Sequence, residues 1–85
     1  MKVLIPGGLR SYTERSEVEL RASTLGAALA ELERLYPGIR FRIIDEQDRI
    51  RRHIRIFVNG AQLRDLAQAL DASDELVIVQ ALSGG

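Results

Sequence analysis

Leu76-Val77-Ile78-Val79 is a run of four apolar, largely β-branched residues near the C-terminal end of the sequence. It is bounded upstream by the turn-forming Asp71-Ala72-Ser73-Asp74, so it reads as a strand. Successive side chains of a strand point to opposite faces, and a strand apolar on both faces suits the middle of a sheet better than an edge. The chain has 85 residues and room for one core. At this size it can bury roughly 60–65% of its unfolded surface, too little to enclose a large active-site cavity. Every other segment must therefore be placed around this strand.

Lys2 to Ile5 is a short apolar-rich run stopped by Pro6, followed by a loop from Gly7-Gly8 through Thr13. Glu17-Val18-Glu19-Leu20-Arg21 alternates with period two, which predicts a hairpin with the first strand. Leu25, Ala28, Leu29, Leu32, Leu35 and Tyr36 then recur at helical spacing, with Thr24 or Ser23 as N-cap and Pro37-Gly38 as terminator. Gly26 in the first turn is unfavourable for a helix unless close packing requires it. Residues 39–52 stay open: Ile39, Phe41 and Ile43 alternate as in a strand, whereas Ile39, Ile43 and Ile44 suit a helical turn. Asp45 to Asp48 is a solvated turn. His53 to Val58 reads as a strand, Asn59-Gly60 as a hairpin turn, and Ala61-Gln62-Leu63 as its partner. Leu66 to Leu70 suits a single helical turn.

These elements predict an α+β fold with a mixed sheet of four or five strands and one main helix packed on one face. The last strand is expected to run parallel to the first, with the hairpin on one side and the 53–64 strands on the other. The helix makes the crossover. Residues 1–81 form the domain, and 82–85 form a flexible tail ending in Gly-Gly.

Composition excludes several functions. Twelve basic and twelve acidic side chains cancel, unlike a general nucleic-acid binder. Without cysteine there is no disulfide, thiolate metal site or cysteine nucleophile. His53, the single histidine, has no companion ligands at metal spacing. No serine lies in a nucleophile elbow, and Gly7-Gly8 does not extend into a phosphate-binding fingerprint. No apolar run has the length of a signal peptide or a membrane span, so a cytoplasmic location is expected.

Two surface features remain. Arg40, Arg42, Arg49, Arg51, Arg52 and Arg55 form a basic cluster interleaved with acids, which reads either as a solvated surface or as a docking site for an acidic partner. If Ile54, Ile56 and Val58 face the helix, His53, Arg55 and Phe57 face away, as do Val77 and Val79 on the last strand. Phe57, Val77 and Val79 would make an apolar patch suited to a partner, unless residues 39–52 fold over it.

The chain resembles the MoaD/ThiS family of ubiquitin-like sulfur-carrier proteins, which have the β-grasp fold. The resemblance covers essentially the whole chain. It rests on Thr24-Leu25-Gly26-Ala27-Ala28-Leu29, on Ile56-Phe57-Val58-Asn59-Gly60, and on Asp74 to Val79 leading to Gly84-Gly85. It implies a protein co-substrate, not an enzyme. An E1-like activating enzyme adenylates the Gly85 carboxyl with ATP and Mg²⁺, and a sulfur donor displaces AMP to leave a thiocarboxylate. No cofactor is bound permanently. Leu82, Ser83, Phe57, Val77, Val79 and Arg55 are the expected partner contacts, and no residue is catalytic. A main-chain carboxyl has an ordinary pKa of about 3.5 and is ionised at neutral pH. Four extended residues, Leu82 to Gly85, reach roughly 13 Å, enough to carry it into another protein's active site.

The acceptor implied is a cysteine-synthase-like enzyme, a molybdopterin synthase large subunit or a thiazole synthase. Molybdopterin synthase small subunits commonly carry prolines where this chain has Gln80-Ala81-Leu82-Ser83. The Ile5-Pro6, Leu9-Arg10 and Thr13 opening and the long arginine-containing connection look more like carriers of cysteine biosynthesis. Conjugation of Gly85 to protein lysines, as in a ubiquitin-like modifier, uses the same tail and stays open, as does a plain interaction module. The free protein is expected to be monomeric, without nucleic-acid or membrane partners.

Overall fold

The computed structural model describes residues 1–81. Strands β1 (Lys2–Leu4), β2 (Glu17–Glu19), β3 (Ile54–Val58), β4 (Ala61–Leu63) and β5 (Glu75–Gln80) form one sheet in the order β2-β1-β5-β3-β4. The apolar run is thus central, as expected. β5 pairs parallel with β1 (Val3 opposite Leu76) and antiparallel with β3 (Ile56 opposite Ile78). β1 and β2 form the expected antiparallel hairpin, as do β3 and β4. Asn59 and Gly60, with φ of 49° and 86°, make the β3–β4 turn that the dipeptide predicted.

Helix α2 (Leu25–Leu35) follows a short helix, α1 (Arg10–Thr13), and precedes α3 (Ile39–Ile43). Leu25, Ala28, Leu29 and Leu32 of α2 are fully buried against Val3, Ile54, Ile56, Leu76 and Ile78 of the sheet. The stripe runs as its spacing implies to Tyr36, which is half-buried against the core, with one departure at Leu35. Leu35 is 39% exposed because the chain reaches its C-cap at Tyr36 and turns away through Pro37-Gly38.

The α2 N-terminus explains Gly26. Thr24 Oγ1 accepts from Ala27 N at 3.1 Å, while Leu25 N and Gly26 N donate to the Gln68 and Leu66 carbonyls at 3.0 and 2.8 Å. Donors that a helix start ordinarily leaves unpaired are thus met by a neighbouring loop. A Cβ on Gly26 would sit 3.2 Å from that Leu66 oxygen, so glycine permits the approach. The same contacts correct the expected helical turn over 66–70. These residues form a turn after Asp65 and a bridge from Ala69 to Thr24, their carbonyls being engaged by α2.

A second correction concerns Gly7 to Thr13. It is a 3₁₀ turn over Gly7–Leu9 running into α1, not an irregular loop, and Leu9 and Thr13 are buried. In the open 39–52 segment the helical alternative holds. Gly38 adopts φ 98° and α3 starts immediately after it, burying Ile39, Ile43 and Ile44 completely in the core beside α2. The Glu33 carboxylate accepts from Gly38 N (2.9 Å) and Arg40 N (3.0 Å), which fixes the start of α3. Residues 44–50 then close a small hairpin through an Ile44–Ile50 bridge, with Asp45 Oδ1 accepting from Gln47 N and Arg49 N in the turn.

Candidate functional site

Alternation along β3 and β5 separates two sets of side chains. Ile54, Ile56, Leu76 and Ile78 point into the core, none more than 2% exposed. Arg55, Phe57, Val77 and Val79 point to the opposite face, which carries no helix. There Phe57 is directly opposite Val77, and Arg55 is opposite Val79. Val79 is 40% exposed, while Phe57 and Val77 are half-buried by their neighbours in the sheet. The structure therefore brings the four predicted partner-contact residues of the sheet onto one surface.

The first half of the 39–52 segment, the alternative cover for this surface, is held elsewhere by the fold, while residues 48–52 line a groove at its edge with Arg55 and Gln62. Residues 39–44 are anchored through Ile39, Ile43 and Ile44 on the helix side, so this part of the segment lies across the other face. The patch also has a member that sequence reasoning missed. Leu4 lies opposite Val77 in the parallel β1–β5 register, half-buried, between the core residues Val3 and Ile5. Gln62 lies opposite Phe57 on the far side. A row Leu4–Val77–Phe57–Gln62 thus crosses four strands. The alternation of Val3, Leu4 and Ile5 carried the signal for Leu4, but only the register with β5 assigns it to the patch.

Charge frames the patch unequally. On the β1–β2 side Lys2 Nζ lies 3.5 Å from Glu17 and 3.9 Å from Glu75. On the other side Arg55 donates to the backbone carbonyls of Ile54 (3.1 Å) and Arg52. Among the described residues Arg55 has no carboxylate partner within 4.0 Å. An aromatic and aliphatic surface bordered by an unneutralised arginine has the composition of a protein-binding hot spot.

β5 also delivers the chain to the tail. Its last ladder bond lies beyond the strand, Ala81 N donating to the His53 carbonyl at 2.7 Å. Leu82, Ser83, Gly84 and Gly85, the remaining predicted site residues, lie outside the described residues. At the end of β5, Gln80 lies over Gly8, where there is no Cβ to obstruct it.

The carboxyls shifted from their ordinary range all hold local structure. Glu31 is lowered by its bond to Arg34, and Glu33 by the Gly38 and Arg40 amides. Asp45 is lowered by the Arg49 amide, and Asp74 by the Asp71 amide and Asn59. None forms an acid–base pair with another carboxyl. Among the described residues no three His, Asp or Glu side chains group to hold a metal ion, and no helix is long and apolar enough to cross a membrane. What the arrangement can do is bind: an apolar sheet face stands beside the strand that leads to residues 82–85.

Comparison with known proteins agrees with this geometry. The ThiS family model matches residues 3–85. The sulfur carrier protein CysO of Mycobacterium tuberculosis is 35% identical over 89 residues, covering 98% of this chain and 96% of its own. A chain of the Amycolatopsis orientalis BexX/CysO complex superposes with a TM-score of 0.90 at 28% identity, over 99% of this chain and 98% of that one. The small archaeal modifier protein 1 of Methanosarcina acetivorans superposes with a TM-score of 0.82 at 28% identity, over 99% and 94%. The mixed sheet and its helix are those of the β-grasp fold.

Proposed function

The chain belongs to the ThiS family, and from that premise we propose that it is a sulfur carrier whose Gly85 carboxyl bears the sulfur, acting in a cysteine-type biosynthesis. The observation that carries the reading is the likeness to CysO, 35% identity over 98% of this chain and 96% of that one. The chain is then a co-substrate and the catalysis belongs to its partners.

The chemistry rests on the groups available. A carboxylate oxygen of Gly85 attacks the α-phosphorus of ATP in an E1-like enzyme that supplies Mg²⁺, and pyrophosphate leaves. The resulting acyl adenylate is attacked at its carbonyl carbon by a hydrosulfide equivalent, AMP leaves, and a thiocarboxylate remains. The thiocarboxylate sulfur then forms a bond to the β-carbon of an acceptor, in this branch an activated serine derivative held by a cysteine-synthase-like enzyme. The Cβ–O bond of that derivative breaks as the activated oxygen leaves with its substituent. Glycines 84 and 85 fit the first step because residues without Cβ thread a narrow cleft and adopt whatever φ it requires. Leu82 and Ser83 lead them in, while Arg55, Phe57, Val77 and Val79 meet the enzyme surface.

Intact-mass spectrometry of the protein from its native cell tests this. The expected species is heavier by the exchange of one oxygen for sulfur. Deleting Gly85 should abolish sulfur loading without changing the thermal midpoint, and a chain inert to activating enzymes with ATP would overturn the reading. The likeness to small archaeal modifier protein 1 favours one second reading, conjugation of Gly85 to protein lysines. In that case the spectrum should show a ladder of larger conjugates instead.

A further inference from the structure

A second exposed surface lies on the helix side of the sheet, beside the root of the tail. Phe41 is 56% exposed, more than any other large apolar side chain among the described residues. It projects from α3 away from the buried Ile39 and Ile43. The guanidinium of Arg51 stacks over its ring, 4.6 Å from the centroid, and Arg51 Nε donates to the Phe41 carbonyl at 2.7 Å. Stem and Nε are thus fixed, and no hydrogen bond or ion pair among the described residues engages the terminal nitrogens. A pre-oriented arginine on an aromatic ring loses little side-chain freedom when it meets a carboxylate.

Among the described residues three arginines of this corner lack an ion-pair partner. Arg34 and Arg40 pair with Glu31 and Asp48, but among the described residues neither Arg42, Arg51 nor Arg52 has a carboxylate within 4.0 Å. Asp45, which lines a groove with Arg51, Arg52 and His53 and feels the charge of Arg51, is engaged by the amides of Gln47 and Arg49. Phe41, Arg42, Arg51 and His53 line one groove. His53 also lines the next groove, with Arg52, Gln80 and Ala81, and its carbonyl holds Ala81. An aromatic and cationic path therefore runs from Phe41 to the tail root.

Four residues come after Ala81 and span roughly 13 Å when extended. An enzyme that brings the Gly85 carboxyl to ATP must therefore press the mouth of its cleft against the tail root and its flanks. We propose that the Phe41–Arg42–Arg51–His53 corner docks against an acidic rim on the cleft of the adenylating enzyme. The inference rests on the sulfur-carrier reading and adds to it a partner chemistry and a second contact, on the face opposite Phe57. The enzyme would hold the domain on both sides of the tail.

The test uses the full chain with an E1-like enzyme that charges the wild type, monitoring ATP–pyrophosphate exchange against carrier concentration. Arg42→Glu and Arg51→Glu should each raise the carrier KM about tenfold with kcat within about twofold, and should flatten the rise of KM with salt. Phe41→Ser should raise KM without changing the salt dependence. Arg34→Glu, reversing a charge on α2, should leave KM unchanged. Thermal melts identify any variant that fails to fold, and the exposed Arg42→Glu carries the test if Arg51→Glu is unfolded. Unchanged KM in folded variants overturns the inference, as does a loss confined to kcat. Variants that lose binding to a single-stranded oligonucleotide while charging normally also overturn it, assigning the corner to nucleic acid. A wild-type chain that no adenylating enzyme charges overturns the sulfur-carrier reading, and this inference with it.

Discussion

Strands β3 and β5 present two faces from alternate residues of the same short segments, and the faces differ in what explains them. On the core face Ile54, Ile56, Leu76 and Ile78 are sealed by α2 and α3, and burial alone accounts for their being apolar. On the open face Phe57, Val77 and Val79 are equally apolar, yet no helix covers them. Apolar side chains kept at a water-facing surface gain nothing comparable from folding, and under the sulfur-carrier reading a partner is the proposed explanation for them. The comparison teaches that burial explains only one of the two apolar faces of the central strands, and that the other needs the proposed recognition role to account for it.

Truncation should separate the two reasons. Ile56→Ala removes a fully buried side chain at the centre of the sheet and should cost about 2–5 kcal/mol, read as a lower denaturation midpoint. Below that midpoint, charging per folded molecule should stay near wild type. Phe57→Ala together with Val79→Ser should do the converse. Stability should change by about 1 kcal/mol or less, since both positions are partly solvated already. The carrier KM with an activating enzyme should rise about tenfold or more, because a central aromatic commonly anchors an interface. If Phe57→Ala destabilised the fold as much as Ile56→Ala, the open face would be structural and the comparison would fail.

The division between the faces was legible because a strand's period of two is local and strict. Ile54 to Val58 states its two faces outright, and Asn59-Gly60 states where the strand turns. The position of β5 was legible for a related reason: Leu76 to Val79 has no polar side to offer an edge. Three segments were not legible, each because a distant contact decides. Leu66 suits a helical turn until its carbonyl is engaged by Gly26 N, forty residues earlier in the chain. Leu9 has no periodic companion, and its burial depends on where β1 ends. In residues 39–44 both periods fit the isoleucines. The helix prevails because Gly38 turns left-handed and the Glu33 carboxylate caps the first turn of α3. Of the candidate site, the Phe57, Val77 and Val79 patch was readable and Leu4 was not, since its place depends on a register with a strand more than seventy residues away.

Glu33 sharpens the comparison from its weakest side, because it is a half-buried charged residue whose work is structural. Its carboxylate accepts from the Gly38 and Arg40 amides, and those bonds, with the charge of Arg40, hold its pKa below the ordinary carboxylate value of 4.5. A carboxyl depressed in the folded state binds its proton more readily in the unfolded state. Its stabilising contribution is therefore fully present above the unfolded value and is lost as pH falls through the lower folded one. Wild-type stability should decline on acidification below about pH 4.5, and part of that decline belongs to Glu33. Glu33→Gln keeps an acceptor oxygen but no charge, so it should be less stable than wild type at neutral pH, by less than the truncation of Ile56. The gap between the two proteins should close as pH falls below the ordinary carboxylate value and through the lower folded one, in denaturation curves taken across that range. A gap that stayed constant with pH would mean that the charge contributes nothing, leaving the α3 start to the Gly38 turn and the burial of Ile39 and Ile43. A gap that closes would place Glu33 with the core isoleucines in holding α3 in place, and hence in presenting Phe41 on its outer side.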